Sequence, residues 1–80
     1  MPDHFRATQP PLSILRRRDL EARLRISRST IYDKINPDSP RYDPSFPKPI
    51  RLGNGAAVGW IEVEIENWLR NQIAASRKPG

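Results

Sequence analysis

Asp19-Leu20-Glu21-Ala22-Arg23-Leu24-Arg25-Ile26-Ser27-Arg28-Ser29-Thr30-Ile31-Tyr32-Asp33-Lys34-Ile35 is the stretch that decides the fold. Leu20 and Leu24 stand four residues apart and share one helical face. Asp19 and Glu21 fall in the first turn of that pattern, where carboxylates favour a helix N-terminus. Ser27 reads as an N-cap, so the first helix stops by Arg25. A second helix then spans Arg28 to about Ile35. Its apolar side is Ile31 and Ile35, which leaves Arg28, Ser29, Thr30, Tyr32, Asp33 and Lys34 facing outward or sideways. Asn36-Pro37 ends it, because a residue before proline is pushed out of the α region. Leu20, Leu24, Ile26, Ile31 and Ile35 can close a small core that fixes the two helices at a steep angle.

Working outward, residues 1–11 carry Pro2, Pro10 and Pro11 without periodicity and read as a flexible arm. Leu12–Leu15 alternates like a short strand and is followed by the basic run Arg16-Arg17-Arg18. Downstream, Pro37, Pro40, Pro44, Pro47 and Pro49 predict a long loop, extended and stiffened by their fixed φ. Ile50–Leu52 and Ala57–Trp60 read as two strands around Gly53-Asn54-Gly55, and Asn-Gly is a hairpin signal because both residues tolerate φ > 0. From Glu62 to about Ser76 a helix is expected. Ile61, Ile65, Trp68, Leu69 and Ile73 give it an apolar stripe, with Glu62, Glu64 and Glu66 early and Arg70, Arg77 and Lys78 late, both in the dipole-favoured sense. Trp60 and Trp68 fall on apolar stripes and are expected in the core. The expected fold is therefore mainly α with a small β-hairpin, a winged helix-turn-helix over residues 12–76, between the arm and a tail at 77–80.

The chain has 80 residues, with 14 Lys+Arg against 9 Asp+Glu, a formal charge of +5. That is one domain with a small core and little room for a deep, desolvated pocket. There is no cysteine and only one histidine, His4, in the arm. A disulfide framework, a zinc finger and a cysteine nucleophile are excluded, and a Ser–His–Asp triad is poorly supported. The expectation is no catalytic residue, no metal and no cofactor. No apolar run approaches a membrane span, and Met1–Arg6 lacks the apolar segment of a signal peptide, so a soluble cytoplasmic protein is expected. Residues 1–52 hold eleven Lys/Arg and six Asp/Glu, whereas residues 53–80 hold three of each. Net positive charge confined to one part of the chain fits a polyanionic partner.

With Ile31 and Ile35 turned inward, the first turn of the second helix has no apolar role left. In helix-turn-helix proteins that turn meets base edges in the major groove. Arginine can bridge guanine O6 and N7, and Ser and Thr contact bases or phosphates. Arg28, Ser29, Thr30 and Tyr32 are thus the candidate base-reading residues. For Tyr32 the competing role is packing against the wing. Backbone contacts are expected from Arg17, Arg18, Ser27, Lys34, Arg41, Lys48, Arg51 and Asn54. For the arginine run the competing reading is a solvated surface, and Asn54 is first of all a turn residue.

Three blocks carry a family resemblance: Leu24-Arg25-Ile26-Ser27-Arg28-Ser29-Thr30-Ile31-Tyr32, Phe46-Pro47-Lys48-Pro49-Ile50-Arg51-Leu52-Gly53, and Val58-Gly59-Trp60 with Ile65 and Trp68-Leu69. In that order they resemble the AlpA family of phage and prophage regulators, whose fold is the excisionase-like, MerR-like winged helix. Arg25 departs from the small, Gly-like residue associated with the turn, and Asn36–Ser45 is longer than the compact connection. The resemblance implies sequence-specific binding of double-stranded DNA by the second helix, backbone contact by the hairpin wing, and a role in transcription or in excision of an integrated element. Two alternatives stand beside the regulator. One is a recombination directionality factor that bends attachment-site DNA and contacts an integrase. The other is a protein-interaction adaptor without DNA binding. A second copy of the chain is a further expected partner, since one helix-turn-helix unit reads only a few base pairs.

Overall fold

Local chemistry sets the helix ends in the computed structural model, which describes residues 12–78. The arm expected over residues 1–11, including His4, lies outside the described residues, as do Pro79 and Gly80. The elements run β1 (Ile14–Leu15), α1 (Arg17–Leu24), α2 (Arg28–Ile35), β2 (Ile50–Arg51), β3 (Val58–Ile61) and α3 (Glu62–Ser76). Helix α1 begins two residues earlier than its first carboxylate, because Asp19 accepts the backbone N–H of Arg16 at 2.9 Å. Arg17 and Arg18 are therefore helical, and Arg17 pairs with Glu21 one turn on. Ser27 caps α2 by accepting the Thr30 N–H at 3.2 Å. Asn36 closes α2 with an N–H to the Tyr32 carbonyl at 3.0 Å, just before Pro37.

Arg25 ends α1 in the left-handed region, φ 59° and ψ 41°. A side chain with a Cβ is strained there by about 1–2 kcal/mol. Glycine would relieve that strain but would free the unfolded chain, giving back about 0.4–1 kcal/mol. Arg25→Gly is thus expected to stabilise by about 0.5–1 kcal/mol and raise Tm by a few degrees, read from a thermal melt. An unchanged or lowered Tm would show that the arginine side chain makes a compensating contact.

The three strands form one sheet in the order β1-β3-β2, with both pairings antiparallel. Ile14 faces Ile61 and Leu15 faces Trp60, while Ile50 faces Gly59 and Arg51 faces Val58. The hairpin is thus widened by β1 into a three-stranded wing base. Alternation sends Leu15 and Trp60 into the core and leaves Ile14, Gly59 and Ile50 on the other face. A Cβ on Gly59 would lie 2.5 Å from Ile14 Cγ2, so only glycine lets Ile14 lie across β3. The wing turn spans Gly53 to Ala56, closed by Leu52 N–H to the Ala57 carbonyl at 2.9 Å. Its left-handed residue is Gly53, φ 83°, and Asn54 is not in that region, contrary to the Asn-Gly expectation.

Leu15, Leu20, Ile31, Phe46, Trp60 and Ile65 form the core, with Leu24, Ile26, Ile35, Val58 and Trp68 packed against it. Trp60 is fully buried, whereas Trp68 is half-buried at the edge. Ile73, expected on the apolar stripe, is 48% exposed because α3 runs past the rest of the domain. The proline-rich segment after α2 is not extended. Ser39, Tyr42 and Phe46 each donate a backbone N–H to a carbonyl three residues back, and Asp43 donates to the Lys34 carbonyl. The segment folds as successive turns that deliver Phe46 to the core. Both indoles hold it: Trp60 Nε1 donates to the Pro47 carbonyl at 3.1 Å and Trp68 Nε1 to Ser45 Oγ at 3.2 Å. Hydrogen bonds from Ser45 hold the Asp43 carboxyl below the usual carboxylate range. Arg23 ties α1 to α3 through Glu62 (2.6 Å) and Glu66 (2.9 Å).

Candidate nucleic-acid interface

Helix α2 is anchored by Ile31, which is fully buried. At about 100° per residue, Ser29 and Asp33 each fall about 160° round the helix from Ile31 and form its outermost line. Arg28 and Tyr32 occupy one flank, Thr30 and Lys34 the other. The flank of Arg28 and Tyr32 turns toward the wing. Tyr32 lines a cleft with Arg16, Arg17, Arg18 and Asp19 of the α1 start and with Ala56, Ala57 and Val58 of the wing. The Arg28 guanidinium lies 5.6 Å from the centre of the Tyr32 ring. That stacking confines a long side chain which would otherwise sample many rotamers, and it leaves the guanidinium edges open to acceptors. Arg16 donates from Nε to the Val58 carbonyl at 3.1 Å and so pins the start of α1 to β3.

The geometry is therefore a short capped helix with polar residues outward, beside a cleft walled by arginines and a β-wing. The family described as "Prophage CP4-57 regulatory protein (AlpA)" matches residues 13–73, from β1 to the last turns of α3. The chain belongs to the AlpA family. A relative from Escherichia coli (strain K12), named DNA-binding transcriptional activator AlpA, is 59% identical over 44 residues, which is 55% of this chain and 61% of the relative. The match thus spans under two thirds of that relative's length. No solved structure gives a significant match.

Within this AlpA-family fold the expected contact residues divide. Arg28, Ser29 and Tyr32 stand exposed on α2, with Tyr32 at 41%. The Thr30 hydroxyl lies 3.0 Å from Ser27 Oγ, so both side chains serve the helix cap as well as facing outward. Arg18 is exposed beside the cleft and Arg17 is half-buried in its pair with Glu21. Arg51 on β2, Asn54 at the wing tip, Lys48 and Arg41 are all exposed. Lys34 is the exception. Its ammonium sits 5.9 Å from the Phe46 ring centre and 5.4 Å from that of Trp68, on the flank away from the wing. Aromatic faces attract a cation, and these two rings meet edge to face with centroids 5.0 Å apart. Lys34 thereby joins the end of α2 to α3 and does not line the wing cleft. Arg16, expected only as a member of the arginine run, lines the cleft as well, and its place immediately before a helix start was the available signal. Asp33 was omitted as well, although counting round the helix from Ile31 places it outermost.

Proposed function

We propose that this AlpA-family chain is a sequence-specific, double-stranded-DNA-binding transcriptional regulator, with residues 12–76 as the binding unit. Helix α2 enters the major groove and presents Arg28, Ser29, Thr30 and Tyr32 to base edges. Arg17 and Arg18 at the α1 start, with Lys48, Arg51 and Asn54 of the wing and Arg41 of the turn segment, take the phosphates on either side. The observation that carries this reading is Arg28 over the ring of Tyr32, with Tyr32 itself lining an arginine-walled cleft. Family membership and the DNA-binding activator among its relatives support it. The reading makes the chain a binding protein without catalysis that acts on DNA in the cytoplasm, reaching adequate specificity as two or more copies on one site. Among the described residues no helix is long and apolar enough to cross a membrane.

The test is a salt titration on a duplex recovered by selection from random DNA. Phosphate contacts release counterions, so log K is expected to fall linearly with log[salt], and each contacting Lys or Arg replaced by Ala should shallow the slope by roughly 0.9. Arg18→Ala and Arg51→Ala are the variants to measure, and Lys34→Ala should leave the slope unchanged. Binding insensitive to salt from dilute to physiological buffer overturns the reading.

A further inference from the structure

Asp33 is an acid on the outermost line of a helix otherwise arranged for a polyanion. It sits one turn beyond Ser29. Among the described residues it makes no ion pair, the pairs being Arg17–Glu21, Arg23–Glu62 and Arg23–Glu66. It is also held in place. Its Oδ1 accepts the Ser39 hydroxyl at 3.3 Å across the turn that follows α2. Asp33 is half-buried, and among the described residues its side chain has no other hydrogen-bond partner. Eight residues of helix are about 12 Å long, close to the width of the major groove, so the whole of α2 fits within it and Asp33 reaches the floor together with Ser29.

A carboxylate there is only an acceptor. It is repelled by phosphates and by the N7, O6 and O4 edges of guanine, adenine and thymine. The major-groove donors are the exocyclic amino groups, and cytosine N4 is the partner that carboxylates take. We infer that Asp33 is a specificity-determining residue that selects a cytosine within the site read by α2, with Ser39 as the positioning residue that aims its carboxylate. This rests on the major-groove reading proposed above. The acid gains little affinity at its cytosine and rejects other bases, which is discrimination by repulsion as much as by contact.

The experiment is selection from duplexes with a fully randomised segment, followed by titration of the selected duplex and its single-base variants. Asp33→Asn keeps the size and the Ser39 bond while removing the charge. It is expected to lose a roughly tenfold preference at one base pair and to bind scrambled duplex more tightly. Ser39→Ala keeps the charge, so it should weaken the preference at the same base pair and leave binding to scrambled duplex alone. If Asp33→Asn tightens binding to all duplexes equally and every base preference is kept, Asp33 is a solvated carboxylate and the inference fails while the DNA-binding reading stands. If the unaltered protein yields no selected sequence at all, it is the major-groove reading that fails.

Discussion

Trp60→Ala is expected to leave the domain largely unfolded at room temperature, seen as loss of helical circular dichroism and of a cooperative melt. Trp60 is the largest fully buried side chain. Truncating a buried Trp costs about 3–5 kcal/mol. A single core in a chain of this size supplies a total on the order of 5 kcal/mol. Two further losses fall on the same substitution. The Pro47 carbonyl loses its indole donor, and the β1–β3 pairing loses the residue opposite Leu15. Trp68→Ala is the control, since that side chain is half-buried and keeps its N–H near Ser45 at the edge. Its effect should be smaller and leave a measurable melt. Equal melting temperatures for the two variants would mean that the core is not centred on Trp60.

How much of this was legible in the sequence follows from where each interaction begins and ends. The bounds of α2 and α3 are marked locally: Ser27 before Arg28, Pro37 after Asn36, acids from Glu62 onward, and both helices occupy the expected residues. The left-handed Arg25 is foreshadowed by the requirement of a turn between two apolar patterns. What the sequence left open depends on partners distant in the chain. Leu12–Leu15 reads as a strand, but nothing nearby says that it pairs with residues 60–61. The proline-rich segment reads as extended because each proline fixes only its own φ. Its turns come from short side chains: Asn36 Oδ1 accepts the Asp38 N–H, Ser39 Oγ the Arg41 N–H, and Asp43 Oδ1 the Ser45 N–H. Its path comes from Phe46 docking into a core it shares with α3. Lys34 follows the same logic. On an isolated helix it is an outward cation, and it turns aside only because Phe46 and Trp68 arrive beside it.

Arg28→Ala is expected to lower the ratio of specific to non-specific DNA affinity by roughly 1–3 kcal/mol, about one to two orders of magnitude, relaxing preference at one or two base pairs. The cause is positional. Arg28 follows the N-cap in the first turn of α2, and its guanidinium lies 5.6 Å from the Tyr32 ring centre, with no ion pair among the described residues. A bidentate contact to guanine O6 and N7 distinguishes one base, so its loss is felt on the preferred site and hardly on a scrambled duplex. Arg51 is the contrasting case. It lies exposed on the edge strand β2, paired across to Val58, where a side chain meets sugar and phosphate before it meets a base. Arg51→Ala should weaken both affinities alike and keep the ratio. Tyr32→Phe retains the ring beneath Arg28 and should preserve the ratio, whereas Tyr32→Ala removes the support and should move toward the Arg28→Ala result. Each variant requires two titrations, preferred site and scrambled duplex, at one salt concentration. None of the three residues is in the core, so differences in folding do not enter. Should Arg51→Ala collapse the ratio while Arg28→Ala leaves it intact, the wing reads the sequence and α2 merely holds the duplex.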